Sequence, residues 1–186
     1  MKIGDRKTSQ INVVKDSVDG MFIQLQKMLD LSKVLLEENS NEIALSIIEE
    51  DSYLDQLQKD IMVEVNLVII KEQPKARDAR IVLGAYAAAS DIERIGDYLK
   101  NFAKMMLKSS IEERKHQKLV EELLNEIENR IMETRAAFKD ENHQLAKMIA
   151  KRDEEIDLLS NKLVADINKL LEESLDKTEV KAYTRI

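Results

Sequence analysis

Apolar residues recur every three or four positions along most of this chain, a spacing typical of amphipathic helices. One predicted helix ends in the polar stretch 37–41, and a second runs from about residue 41 to 73, where Pro74 ends it. A third is predicted over residues 75–108, before a polar joint at 109–118. The predicted inward positions of the three helices are Met21, Leu25, Met28, Leu29, Ser32, Leu35 and Leu36; Ile47, Leu54, Leu57, Ile61, Val65 and Val68; and Ile81, Ala88, Ile92, Ile95, Leu99, Phe102 and Met106.

The pattern repeats after the joint with a constant offset of 102 residues. Under this offset Leu25 corresponds to Ile127, and the acids Asp51 and Asp55 correspond to Asp153 and Asp157. A register kept over so much of the chain favours an internal repeat over shared helical periodicity alone. The sequence therefore predicts two homologous three-helix units.

The predicted boundaries are 1–110 for the first unit and 111–186 for the second. Most of the second unit's third helix would have to lie after Ile186, so we expect that unit to be incomplete. Its apolar residues would then form an open groove, which a second copy of the chain would cover in a homodimer.

Composition favours an all-α, up-and-down helix bundle, because one proline and four glycines leave little to end strands. The chain lacks cysteine, which excludes disulfides and thiolate sites and fits a reducing cytosol. A net charge of −7 argues against nucleic acid as a partner. No apolar run approaches the roughly 20 residues that cross a bilayer, and the first 15 residues lack a signal-peptide core. We therefore expect a soluble, cytoplasmic protein.

Carboxylates are the candidate chemistry. Asp51 with Asp55, and Glu93 with Asp97, are spaced four apart, so each pair shares one side of a helix. With 36 acids in 186 residues, such pairs also arise by chance, and a solvated face is the simpler interpretation of the spacing alone. Ligands that are all oxygen favour hard cations such as Mg, Ca, Mn or oxidised iron.

Three segments carry a family resemblance in the order and spacing of that family. Residues 90–97 read Ser-Asp-Ile-Glu-Arg-Ile-Gly-Asp, residues 70–82 lead into the third predicted helix, and residues 48–55 carry the second helix's acids. Together they resemble the PhoU family of phosphate-signalling regulators. Residues 1–20 depart from the pattern with which many members begin.

The resemblance implies a cytoplasmic negative regulator of phosphate uptake and phosphate-starvation signalling. Such a protein is an adaptor between the ATPase subunit of a phosphate ABC transporter and a phosphate-sensing histidine kinase, and it is peripheral to the membrane through those partners. The resemblance also implies metal ions, as iron or zinc clusters, at the acidic surface motifs. The residues that match those motifs are Asp51, Asp55, Glu93, Asp97, Asp153 and Asp157.

Other functions stay open on the sequence alone. A PhoU-like accessory domain of another phosphate transporter fits the divergent first 20 residues. A carboxylate-bridged metal enzyme would need an enclosed pocket, and a metal-free helical scaffold needs only the bundle. The Glu-x-x-His spacing of Glu113 and His116, with the similar Asp140 and His143, is used by di-iron bundles, but both pairs lie in polar joints. No catalytic set is visible, so we expect no enzyme activity.

Overall fold

The computed structural model of the protein describes residues 3–108 and 117–173, and all its regular elements in those ranges are helices. This confirms the all-α prediction. The helices are α1 (Ile3–Glu38), α2 (Asn41–Glu72), α3 (Arg77–Lys108), α4 (Gln117–Lys139), α5 (His143–Lys151) and α6 (Asp153–Glu173). Within these residues, none of the helices is long and apolar enough to cross a membrane.

Contacts divide the chain into two compact units, Met1–Leu107 and Lys108–Ile186. The first unit contains α1, α2 and α3, and the second contains α4, α5 and α6. Whether the two units are homologous stays a prediction. One local feature does recur at the offset of 102 residues. Asn39 and Glu141 both have positive φ, and the residues that follow them, Ser40 and Asn142, cap α2 and α5 with their side chains.

Helix α1 begins earlier than the sequence pattern predicted. The predicted apolar positions began at Met21, but Ile11, Val14 and Val18 continue the same spacing upstream and are buried. Antiparallel α2 packs against α1. Ser17 Oγ donates to Glu64 Oε2 over 2.8 Å near one end, and Gln24 Nε2 donates to Glu50 Oε2 over 2.6 Å further along.

Helix α2 ends as predicted, before Pro74. Gln73 takes the left-handed conformation that commonly ends helices, and Ala76 also has positive φ. The chain therefore reverses within four residues, and α3 returns antiparallel along α2. The buried positions of α2 are Ala44, Ile47, Asp51, Leu54, Ile61, Val65 and Val68.

The second unit differs from its predicted repeat in one respect. Under the offset, the counterpart of α2 in the second unit should be one continuous helix. The chain instead breaks at Arg152 into α5 and α6. The Arg130 guanidinium lies at the break, where it donates to the carbonyls of Ile149 and Arg152 over 3.2 and 2.7 Å. Side-chain donors that insert into a helical ladder in this way bend or interrupt it. The corresponding residue in α1 is Met28, which has no such donors, and α2 is continuous.

Candidate functional site at the interface of α2 and α3

Asp51 is a charged residue in an apolar row. It falls one turn after Ile47 and three residues before Leu54 on α2, and both of those residues are fully buried. Its helical register therefore carries it into the interface, and the residue is only 3% exposed. A buried carboxylate needs a partner, since burial without one is costly.

The buried face of α3 is shifted from the predicted one. Of the seven predicted inward positions only Ile92 and Leu99 are buried, whereas the remaining five are half-buried. The shift follows from side-chain size, because alanine and glycine let α3 approach its neighbours closely. The buried residues of α3 are Val82, Ala85, Ala89, Ile92, Gly96, Leu99 and Ala103.

Gly96 is the point of closest approach. A Cβ built at this position would overlap Leu54 Cδ2 and would lie 3.8 Å from Asp51 Oδ1. An added Cβ would therefore have to displace either the Leu54 side chain or α3 itself. The glycine is needed for this contact and not for backbone conformation, since its φ is not positive.

The partner of Asp51 is Lys100. Lys100 Nζ donates to Asp51 Oδ2 over 2.6 Å and also donates to Asp97 Oδ1, so one ammonium bridges two carboxylates on two helices. The sequence interpretation missed this lysine. Two signals pointed to it: Asp51 required a buried partner, and two 32-residue helices joined by a short turn place residue 51 opposite residues 98–100.

Glu93 and Asp55 complete the acidic group. Glu93 lies one turn before Asp97 and accepts a hydrogen bond from Gln58 Nε2 of α2 over 3.4 Å. Both Glu93 and Asp55 are half-buried, whereas the simpler interpretation of the spacing placed the acids on a solvated face. The shifted face of α3 explains the difference, because it turns Glu93 towards α2. We call Asp51, Asp55, Glu93, Asp97 and Lys100 the α2–α3 acidic site.

The electrostatics of the site reflect crowded negative charge. Burial raises the pKa of Asp51 above its ordinary value, against the hydrogen bond from Lys100, and the charges of Asp55 and Asp97 raise it further. Burial likewise raises the pKa of Glu93, and the charges of Asp97, Asp55 and Asp51 add to the effect. The four predicted acids therefore do lie within electrostatic range of one another.

The pKa of Lys100 is also raised, which stabilises its positive charge. Its burial acts to lower the pKa, but the hydrogen bonds to Asp51 and Asp97 outweigh burial and raise the pKa above that of a free lysine. The ammonium is consequently held in its charged form. Lys100 is the positive group that makes close packing of these acids tolerable.

The fit of the site to a metal ion is mixed. Among the described residues, no three acidic or histidine side chains are arranged as ligands of one ion. Asp51 Oδ1, however, is buried and accepts no hydrogen bond from the residues that the structure describes, and a buried oxygen without a donor is what a cation would satisfy. The donor set is all oxygen, which suits a hard cation. Metal binding at Asp51, Asp55, Glu93 and Asp97 stays a prediction.

The structure describes the side chain of only one of the two acids predicted to form a site in the second unit, Asp153 and Asp157. Asp157 is exposed on α6. Asp153 is the first residue of α6, and its side chain lies outside the described residues. The neighbouring Arg152 pairs with Glu133 of α4, so positive charge stands beside this segment.

In both units a side chain of the first helix donates a hydrogen bond to the backbone carbonyl just before the first predicted aspartate, Asp51 or Asp153. Gln24 Nε2 of α1 donates to the carbonyl of Glu50 over 3.1 Å, and Arg130 of α4 donates to the carbonyl of Arg152. Glu50 and Arg152 are equivalent under the offset of 102 residues. The anchoring side chain is neutral in the first unit and cationic in the second.

The histidine pairs form no described site. Asp140 and His143 are both exposed at the turn before α5. Glu113 and His116 lie outside the described residues.

Comparison with known proteins places the acidic site within a matched domain. Residues 18–106 match the PhoU domain family. The chain is 29% identical over 154 residues to the phosphate-specific transport system accessory protein PhoU homolog of Clostridium acetobutylicum, covering 81% of this chain and 68% of that protein. It is 26% identical over 166 residues to the homolog of the same name from Aquifex aeolicus, covering 85% and 72%.

A solved structure matches the fold. The crystal structure of the phosphate transport system regulatory protein PhoU from Streptococcus pneumoniae superposes with a TM-score of 0.86. The match covers 95% of this chain and 84% of that protein, at 21% sequence identity. At this identity the likeness concerns the helical architecture.

Proposed function

This chain belongs to the PhoU family, and from that membership we propose that it is an accessory protein that regulates a phosphate transport system. The observation that carries the proposal is the match over residues 18–106, which contain all five residues of the α2–α3 acidic site. The relatives are named as accessory and regulatory proteins, and the family is not one of enzymes. The family membership therefore disfavours the metal-enzyme alternative.

The finer proposal is an adaptor in the cytoplasm. In it, the protein contacts the ATPase subunit of a phosphate ABC transporter and a phosphate-sensing histidine kinase, and restrains starvation signalling while phosphate is plentiful. The names of the relatives support the link to a phosphate transport system. The two partners are inferred from the resemblance of the sequence motifs to the family.

The acidic site is the proposed contact surface. Asp97 and Glu93 present carboxylates at the edge of the interface, beside the buried Asp51. A basic segment of a partner would pair with these partly exposed charges, and such pairing weakens with salt because charges in contact with solvent are screened beyond about 8 Å at physiological ionic strength. This mode of action needs no turnover.

Metal binding belongs to the same proposal. Asp51, Asp55, Glu93 and Asp97 would hold the ion, whose charge would offset the repulsion among the acids and offer a coordination position to a partner. Asp51 Oδ1, which has no hydrogen-bond donor within residues 3–108 and 117–173, supports this role. An accessory domain of another type of phosphate transporter is the second candidate, which the divergent residues 1–20 favour.

A pull-down experiment tests the adaptor proposal. The tagged protein is used to capture the transporter ATPase and the sensor kinase from cells that encode all three. We expect capture by the parent and loss of capture by Glu93→Ala/Asp97→Ala. The matched control is Glu37→Ala/Glu38→Ala, which removes the same charge from exposed positions at the end of α1.

The control variant shows whether a loss of capture results from the acidic site itself or only from the lower negative charge of the protein. Equal capture by the parent and by Glu93→Ala/Asp97→Ala would reject the acidic site as the contact surface. Capture of neither partner by the parent would reject the adaptor role.

A further inference from the structure

An exposed apolar patch covers the outward side of α2 and α3 next to the turn that joins them. Val63, Leu67 and Ile70 follow one another at intervals of four and three on α2, so they share one side of that helix. All three are exposed, and Ile70 is 71% exposed. On α3, Leu83 and Tyr86 lie three residues apart and are also exposed. We call these five residues the tip patch.

The antiparallel register of the two helices brings the two rows of the tip patch together. Lys100 of α3 contacts Asp51 of α2, and this contact fixes which residues of the two helices lie at the same level. Leu67 is 16 residues after Asp51, and Leu83 is 17 residues before Lys100, so the two leucines lie level with each other. Exposed apolar side chains that gather in one patch mark an interaction site, whereas single ones do not.

The exposed charges around the tip patch are basic. Within residues 67–83, all of which the structure describes, the two acids Glu72 and Asp78 are half-buried. Lys71 follows Leu67 by one turn, so a base lies directly beside the patch. The turn is therefore positive at its surface, in a chain whose net charge is −7. The exposed charged residues of this segment are Lys71, Lys75, Arg77 and Arg80.

The α2–α3 acidic site lies too far along the helices to cancel this charge. Glu93 follows Arg80 by 13 residues on α3, which is about 20 Å at the rise of an α-helix. Asp55 precedes Lys71 by 16 residues on α2, which is about 24 Å. Both distances are more than twice the Debye length of about 8 Å at physiological ionic strength. A surface that approaches the turn therefore meets mainly positive charge.

We propose that the tip patch and the bases beside it bind the surface of a membrane that contains anionic lipids. The apolar side chains enter the boundary between headgroups and acyl chains, while Lys71, Lys75 and Arg80 pair with lipid phosphates. Apolar side chains flanked by bases hold amphipathic surfaces to a bilayer in this way. The charge favours this occupant over a second copy of the chain, because two facing tip patches would bring the same bases against one another.

Sedimentation with lipid vesicles measures this binding. The full-length protein is mixed with vesicles of equal parts phosphatidylglycerol and phosphatidylcholine, or with vesicles of phosphatidylcholine alone. We expect the partition coefficient to be roughly tenfold or more higher on the anionic vesicles, because several bases lie at the contact. Added salt should lower it, since these charges are exposed. Equal partition onto the two kinds of vesicle, or no binding to either, would overturn the inference.

Serine substitutions test the apolar part of the contact. Ile70→Ser/Leu83→Ser should lower the partition coefficient on anionic vesicles roughly tenfold or more, because two large side chains no longer enter the bilayer. Both positions are exposed, so the variant should fold as the parent does. The matched control is Ile23→Ser/Leu45→Ser, which changes two exposed apolar residues away from the turn and should bind as the parent does. An equal loss of binding in the two variants would overturn the inference.

Glutamine substitutions test the charge. Lys71→Gln/Arg80→Gln should bind the anionic vesicles roughly fivefold or more weakly and should respond less to salt. The matched control is Lys104→Gln/Lys108→Gln, which removes an equal charge from exposed positions at the opposite end of α3. It should keep the binding of the parent. Loss of binding in the control alone would place the contact elsewhere and reject the tip patch.

Fluorescence locates the contact, because the chain has no tryptophan of its own. The emission of Ile70→Trp should shift to shorter wavelength on anionic vesicles, as an indole does when it enters the membrane interface. Tyr98→Trp is the control, since Tyr98 is 66% exposed and lies far from the turn. An unshifted emission from Ile70→Trp, or an equal shift from both variants, would contradict the inference.

Two further results would assign the tip patch to another occupant. Suppose that the parent does not bind vesicles and that Ile70→Ser/Leu83→Ser converts a dimer into a monomer in sedimentation velocity. The patch is then a contact between two copies, and the inference is wrong. It is equally wrong if the parent does not bind vesicles and the same variant loses capture of the transporter ATPase. The pull-down with Glu93→Ala/Asp97→Ala tests different residues, so the adaptor proposal and this inference can each fail alone.

Discussion

At the scale of single residues, the acidic site depends on one small residue and one charged one. Gly96 allows α3 to approach α2, and Lys100 then neutralises the carboxylate that the approach buries. Each is effective only because of the other. A larger residue at position 96 would displace the Leu54 side chain or α3, and a neutral residue at position 100 would leave Asp51 without its positive partner.

Gly96→Ala should therefore destabilise the protein. Alanine normally stabilises a helix relative to glycine, but here its Cβ overlaps the fully buried Leu54. Overpacking of this kind costs about 1–3 kcal/mol, more than the ~1 kcal/mol gain in helix propensity. The free energy of unfolding is measured by urea denaturation.

Gly84→Ala is the matched control on the same helix. In the part of the chain that the structure describes, nothing lies within 4 Å of a Cβ at Gly84, so the substitution should stabilise the protein by roughly 0.5–1 kcal/mol. Stabilisation of similar size by both substitutions would show that the close contact at Gly96 does not exist.

Glu50 gives a prediction on pH dependence. Its pKa lies below the ordinary 4.5, because Gln24 and Lys27 donate hydrogen bonds to it and Lys27 adds its charge. A lowered pKa in the folded state means that ionised Glu50 contributes stability above pH 4.5, which is lost as pH falls through the folded pKa. The parent should therefore exceed Glu50→Gln in unfolding free energy at pH 7, and the difference should shrink below pH 4.5. A difference that is constant from pH 7 to pH 3 would contradict this assignment.

The buried positions of α2 could be predicted from the sequence, and most of those of α3 could not, for a physical reason. In α2 the large apolar side chains mark the buried face, and five of its six predicted positions are buried. In α3 the larger apolar residues Ile95 and Phe102 are only half-buried, while alanine and glycine make up four of the seven buried positions. Hydrophobicity therefore gave the wrong rotation for α3, and the partner of Asp51 was missed with it. The acids themselves were predictable from the motif.

At the scale of elements, the break between α5 and α6 distinguishes the second unit from the first. Arg130 is 8% exposed, pairs with Glu126 over 2.8 Å and donates to two carbonyls at the break. The repeat in the sequence predicted a continuous helix, because the pattern of apolar residues is continuous through Arg152. The break results from a tertiary hydrogen bond, which periodicity does not record.

Arg130→Met introduces the residue found at the equivalent position of α1. It should destabilise the second unit by about 2–4 kcal/mol, because the two carbonyls lose a donor and Glu126 loses its partner. Deuterium uptake of residues 143–152 should rise, as measured by hydrogen exchange with mass spectrometry. Lys147→Met, at an exposed position on α5, should change neither quantity. Slower exchange in Arg130→Met would show instead that Arg130 forces the break and that the helix becomes continuous without it.

At the scale of the whole molecule, the matched family domain and the acidic site both lie in the first unit. The PhoU match spans residues 18–106, which correspond closely to that unit. The proposed regulation of phosphate transport and starvation signalling acts through the acids of this unit. It requires that the acids act on a partner and not only on the stability of the protein.

The most direct test measures a phosphate-starvation reporter in cells from which the gene is deleted, grown with abundant phosphate. Complementation by the parent and by Glu37→Ala/Glu38→Ala should keep the reporter repressed, whereas Glu93→Ala/Asp97→Ala, present at equal levels, should leave it expressed as in the deletion. A reporter that stays repressed in the deletion, or equal repression by all three proteins, would contradict the proposal.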